Sequence, residues 1–139
     1  MGVVCVFKLG EVIDKGKANL LSPIVLAFIG DAVYSLFVRE KLALETDCKT
    51  GELNKRAVGE VNAKAQAEFI RELLPLLTDE ETAIFKRARN AKKTSKAKSA
   101  SVVDYHLSTG FEAVLGYLYI TGQYDRLNFI LNRGKEIEG

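Results

Sequence analysis

The chain has no tryptophan, one histidine, two prolines and two cysteines in 139 residues. Each scarcity closes off a class of explanation. Cys5 and Cys48 stand far apart and fit no metal-ligand spacing, so the chain reads as a protein of a reducing, cytoplasmic compartment rather than a disulfide scaffold. Pro23 and Pro75 leave room for long helices between them. The opening MGVVCVFKLG has an apolar stretch too short for a secretory core and no basic leader. Val6 stands where a myristoylation motif requires Ser or Thr. No clean apolar–polar alternation marks a strand.

One run comes close to membrane length, from Leu20 to Val38. Pro23, Gly30 and Asp31 interrupt it, and an Asp near a helix centre costs about 2.5–3.5 kcal/mol on insertion. The run is therefore expected to be a core or interface helix, with no membrane partner. Hydrophobic residues make up 47% of the chain, which argues for a globular domain and against disorder.

Helical periodicity runs through nearly the whole sequence. Ser22 as N-cap and Pro23 in the first turn open a helix to about Leu44. Leu53, Ala57, Val61, Ala65, Phe69 and Leu73 recur every four residues, predicting a second helix from Gly51 to about Leu74, ended by Pro75. Thr78–Glu81, TDEE, is a capping box that opens a third helix to about Asn90. Lys92–Ser101 is small, polar and basic and reads as a loop. A fourth helix covers roughly Val103–Ile120 and stops near Gly122. A last one runs from Gln123 to about Asn132, with Leu127, Ile130 and Leu131 inward. The expectation is a single all-α domain of five or more helices over residues 1–139, its core from about 20 to 131.

The net charge of +2 hides an asymmetry. Lys86–Lys98, KRARNAKKTSKAK, carries seven basic residues and no acidic one, which leaves −5 for the rest of the chain. Such a strip is either a solvated face or an affinity device for phosphates.

Two apolar helices each carry one lone acid. LSPIVLAFIGDAVYSLFV, Leu21–Val38, contains only Asp31. LSTGFEAVLGYLYITG, Leu107–Gly122, contains only Glu112. Neither acid has a basic residue one turn away on its own helix. Each lies close to a glycine, Gly30 or Gly116, that lets another backbone or a ligand approach. Each acid could cap a neighbouring helix. Together, however, two buried carboxylates repel, and a divalent cation such as Mg²⁺ removes the conflict. Acids that hold a metal beside a basic strip suit phosphodiester hydrolysis. The lone His106 reads as a helix-start or packing residue, and Tyr105, Tyr117 and Tyr119 as core or interface.

LAFIGDAV resembles the signature helix of the ribonuclease III family, close to LEFLGDAV, and FEAVLGYLY resembles that family's second motif. FKRARNAK followed by YHLSTGFEAVLGYL is more specifically similar to the small Mini-ribonuclease III subfamily, which has no double-stranded-RNA-binding domain; none is expected here. The resemblance covers about Leu20–Leu131. It implies that Asp31 and Glu112 are catalytic metal-site residues and that Phe28 plugs into the partner of a homodimer. Asn62 falls in a third conserved region. The chain departs from the family pattern at two acids, Ala27 standing for Glu and Thr109 for Asp. A two-acid site would lean more on waters, RNA phosphates and hydroxyls such as Ser35, Ser108 or Thr109.

The combined reading is a cytoplasmic, Mg²⁺-dependent endoribonuclease for double-stranded RNA, giving 5′-phosphate and 3′-hydroxyl ends. Lys86, Arg87, Arg89, Asn90, Lys92, Lys93, Lys96 and Lys98 would grip the RNA backbone. The resemblance implies maturation of 23S ribosomal RNA precursors. The rivals are a non-catalytic RNA-binding or ribosome-associated dimer with the same fold, and a helical module in which Phe28, Tyr34 and Phe37 form only a protein interface.

Overall fold

A computed structural model of the chain describes residues 10–45, 55, 63–91 and 100–132. Among them are six α-helices, one 3-10 turn and no strand. In chain order the helices are α1 (Lys15–Leu20), α2 (Pro23–Glu45), α3 (Ala63–Leu73), α4 (Asp79–Ala91), α5 (Ala100–Ile120) and α6 (Tyr124–Leu131), with the 3-10 turn at Leu74–Leu76. The all-helical architecture expected from the periodicity is present. The expected helix over Gly51–Leu74 is described from Ala63 onward; of its earlier part only Lys55, helical, is described, and the rest, Asn62 included, lies outside the described residues.

The helix ends follow local chemistry. Asp14 caps α1 by accepting the Lys17 N–H at 2.8 Å. Ser22 Oγ accepts the Ile24 N–H at 3.2 Å, and Pro23 begins α2 where a missing N–H costs nothing. The capping box is reciprocal: Thr78 Oγ1 accepts the Glu81 N–H at 3.1 Å, and Glu81 Oε1 accepts the Thr78 N–H at 2.9 Å. Helix α5 starts at Ala100, three residues earlier than Val103, because alanine favours helix where the polar composition suggested loop. It ends in a Schellman turn. Gly122 at φ 77° donates to Tyr119 O, and Gln123 N–H reaches Leu118 O at 2.9 Å.

Helix α5 is the centre of the fold and packs against α2, α3, α4 and α6. Every residue from Ser108 to Leu118 is buried except Glu112. Around it Tyr34 meets Phe111 edge-on, with ring centroids 5.3 Å apart, and Phe69 at 6.0 Å. Leu127, Ile130 and Leu131 of α6 point inward as their spacing predicts. Tyr117, expected in the core or at an interface, is wholly buried in the core. His106 is half-buried on the second turn of α5, consistent with a packing residue near the helix start.

The capping Glu81 has a second role. Its carboxylate accepts Arg126 Nε and Nη2, both at 2.8 Å, and Nη2 also reaches Leu76 O at 2.7 Å. Burial pushes the Glu81 carboxyl up, but the bonds from Arg126 and Thr78, with the Arg126 charge, outweigh it and leave the pKa below the usual glutamate value. This pair fastens α6 to the start of α4.

Helices α2 and α5 touch backbone to backbone. A Cβ at Gly30 would collide with the Glu112 carbonyl and lie 2.9 Å from Gly116 N; one at Gly116 would collide with the Leu26 carbonyl and lie 3.0 Å from Gly30 N. Only hydrogen at both positions permits the crossing. The two motif glycines thus do what their places beside the acids suggested: they admit another backbone.

Candidate active site

The crossing sets the geometry of a pocket. Ile24, Ala27, Phe28 and Asp31 of α2 form one wall, and Tyr105, Ser108, Thr109 and Glu112 of α5 form the other, around a cavity of about 370 Å³. Each set is spaced i, i+3, i+4, i+7, one face of a helix over two turns. Gly30 and Gly116 hold these faces together next to the acids. Asp31 and Glu112, distant in sequence, therefore share one cavity.

Two expectations change at this point. Asp31 is exposed and Glu112 half-buried, so neither is the fully buried carboxylate that the apolar runs suggested. The reason is that α2 leaves a long apolar face uncovered, and hydrophobicity alone does not reveal which face is covered. Tyr105 is not simply core or interface; it lines the pocket two turns before Glu112. Its spacing of seven residues from Glu112 was the signal that could have placed it there.

Of the candidate hydroxyls, Ser108 and Thr109 line the cavity and Ser35 does not. Ser35 Oγ accepts Arg39 Nε at 3.2 Å on the open side of α2. Thr109 Oγ1 donates to Tyr105 O at 3.0 Å, within its own helix. Ala27, at the other position where the family pattern has an acid, contributes only a methyl group to the wall.

The donor set fits a hard cation. Two carboxylates and two hydroxyls are all oxygen donors, and Mg²⁺ commonly takes one or two carboxylates while keeping several waters. No group of three or more His, Cys, Asp or Glu side chains able to hold a metal occurs among the described residues. The ligand set open to a cation here is thus the pair of acids, with water completing the shell.

Phe28 borders the pocket and is 80% exposed, on the same side of α2 as Val25 (44%) and Leu36 (63%). Lys86, Arg87 and Asn90 are exposed on the last turns of α4. Arg89 is half-buried, with its guanidinium 5.7 Å from the Phe85 ring centroid and Nε donating to Asn90 Oδ1 at 3.2 Å. Lys92, Lys93, Lys96 and Lys98 lie outside the described residues. No described helix is long and apolar enough to cross a membrane.

The fold is shared with known proteins. Residues 24–123 match the Ribonuclease III domain. The chain belongs to the ribonuclease III family of endoribonucleases. Within that family its relatives are small. It is 44% identical over 127 residues to Mini-ribonuclease 3 of Thermoanaerobacter sp. (strain X514), covering 91% of this chain and 89% of that one. It is 47% identical over 116 residues to Mini-ribonuclease 3 of Streptococcus pneumoniae, covering 82% and 91%. A crystal structure of a Fusobacterium nucleatum protein superimposes with a TM-score of 0.74 at 31% identity, covering 82% of this chain and 91% of the other.

Proposed function

We propose that the α2–α5 pocket is the catalytic centre of a Mg²⁺-dependent endoribonuclease for double-stranded RNA, with Asp31 and Glu112 as its metal ligands and catalytic residues. The observation that carries this reading is that the two lone acids line one pocket. When bound, Mg²⁺ supplies the Lewis acidity that polarises a phosphate and lowers the pKa of water. The two carboxylates would hold that charge in place. In the hydrolysis, a water oxygen bonds to phosphorus as the bond to the 3′-oxygen breaks in line. The attacking water gives up a proton and the departing 3′-oxygen takes one up, leaving 5′-phosphate and 3′-hydroxyl ends.

The rest of the molecule has a place in this reading. Lys86, Arg87, Arg89 and Asn90 at the end of α4, with Lys92, Lys93, Lys96 and Lys98 beyond it, grip RNA phosphates; an A-form helix is read mainly through its backbone and shape. The exposed apolar face around Phe28 packs on a second copy of the chain, because exposed apolar patches of this kind mark interfaces. The homodimer then presents one site to each RNA strand. The whole chain acts as one catalytic domain in the cytoplasm, on precursors of 23S ribosomal RNA, as the resemblance to the small ribonucleases implies.

Purified chain and long double-stranded RNA, with Mg²⁺ and with EDTA, test the reading. Cleavage should require the metal. Asp31→Asn and Glu112→Gln should each lose more than about a thousandfold in rate, about 4 kcal/mol of barrier, while remaining folded. Cleavage by either variant at the unsubstituted rate would remove that residue from the site.

A further inference from the structure

We infer that Thr109 is a positioning residue for the cation at this site, its hydroxyl oxygen accepting a hydrogen bond from water of the ion's hydration shell. This rests on the reading of Asp31 and Glu112 as metal ligands. Thr109 stands where the family pattern has an aspartate, so the question is what a neutral side chain supplies there.

The answer lies in its proton. A hydroxyl has one hydrogen to give and two lone pairs to receive. Thr109 Oγ1 gives its hydrogen to Tyr105 O, at 3.0 Å, inside the helix. Toward the pocket it therefore offers lone pairs alone. In hydrogen-bonding character it resembles a carboxylate oxygen without the charge.

The surroundings define what can use that acceptor. Thr109 is 6% exposed, so bulk water reaches it little except through the cavity it lines. Across the cavity, Ile24, Ala27 and Phe28 carry no polar hydrogen and Asp31 is a carboxylate; the other hydroxyls of the lining, Tyr105 and Ser108, stand on the same helix as Thr109. Water ordered within the cavity is the donor that suits it, and the water around a divalent cation is a strong, fixed donor. Charge points the same way. Two carboxylates balance one divalent ion, whereas an aspartate in place of Thr109 would leave an excess negative charge.

Titration of the RNA-free, full-length chain with Mn²⁺, a probe that takes the same oxygen ligands, and EPR detection of the free ion test the inference. Thr109→Ser should bind Mn²⁺ within about twofold of the unsubstituted chain, and Thr109→Val, of equal volume, about tenfold more weakly, as expected for loss of a supporting hydrogen bond around a metal. Should the valine variant melt lower without metal, Thr109→Ala must show the same tenfold weakening. Undiminished binding by the valine variant, or a serine variant as weak as valine, overturns the role of the hydroxyl. Asp31→Asn separates the two layers. If it releases the ion while Thr109→Val keeps it, only the hydroxyl inference falls; if the unsubstituted chain binds no Mn²⁺, the metal site falls and the inference with it.

Discussion

Helices α2 and α5 look alike in sequence and differ in their surroundings. Each is long and has an apolar stretch interrupted by a single acid, Asp31 or Glu112, with a glycine nearby, Gly30 or Gly116. Yet α5 is enclosed by four other helices, while α2 buries Leu26, Ala27, Gly30, Tyr34 and Val38 and exposes Val25, Phe28 and Leu36. A helix that is apolar all round has two solutions, the middle of a domain or the seam between two molecules. The acids show the same contrast. Glu81, almost fully buried, comes with an arginine; Asp31 and Glu112 open onto a cavity. Burial without a partner is what the pair of site acids avoids.

The sharpest way to break this comparison is to truncate one leucine on each helix. Leu115→Ala, in the wholly buried row of α5, should cost about 2–5 kcal/mol of folding stability in a denaturant titration. Leu36→Ala should change the stability of the isolated chain by no more than about 0.5 kcal/mol, as surface substitutions do. If α2 is the seam, Leu36→Ala and, more strongly, Phe28→Ala should instead weaken self-association in sedimentation, by about 3 kcal/mol for the phenylalanine. Equal folding costs for Leu36 and Leu115 would erase the distinction.

A second test uses the buried acid. Because the folded-state pKa of Glu81 is lowered, its stabilising contribution is present above the unfolded value of about 4.3 and is lost as pH falls through the folded pKa. Thermal melts should therefore drop below that pH, and Glu81→Gln should flatten the drop. A variant with the same acid slope as the unsubstituted chain would show that other carboxylates set it.

The smallest effect concerns the end of α4. Replacing Lys86 and Arg87 with Gln should reduce the salt dependence of RNA binding by about one unit of slope for each phosphate left unneutralised, up to two. Cleavage at saturating RNA should persist, since neither residue lines the pocket. An unchanged slope would make these two residues an ordinary solvated face and place the RNA elsewhere on the molecule.

Much of the fold was legible because its signals are local. Ser22, the Thr78–Glu81 box and Gly122 each act through hydrogen bonds to residues a few positions away; the first two open their helices and the last closes one, each where expected. The recurrence of Leu127, Ile130 and Leu131 likewise needs only helical geometry. What was not legible depends on partners distant in sequence. Nothing near Glu81 indicated Arg126. Nothing in the α2 pattern distinguished the face covered by α5 from the face left open, so Asp31 read as buried. For the site, the motifs named both acids, but Tyr105 required knowing which side of α5 meets α2.

At the crossing of α2 and α5 the spacer is main chain, not side chain. Elsewhere in the core, helices rest on side chains that can change rotamer or be exchanged for others of similar volume, so their separation can drift by fractions of an ångström. At Gly30 and Gly116 there is nothing left to trim and no room to add. The ruler between Asp31 and Glu112 therefore has a fixed end, and the gap between the carboxylates should be among the slowest dimensions of the molecule to wander, under heating or through long substitution of the surrounding core.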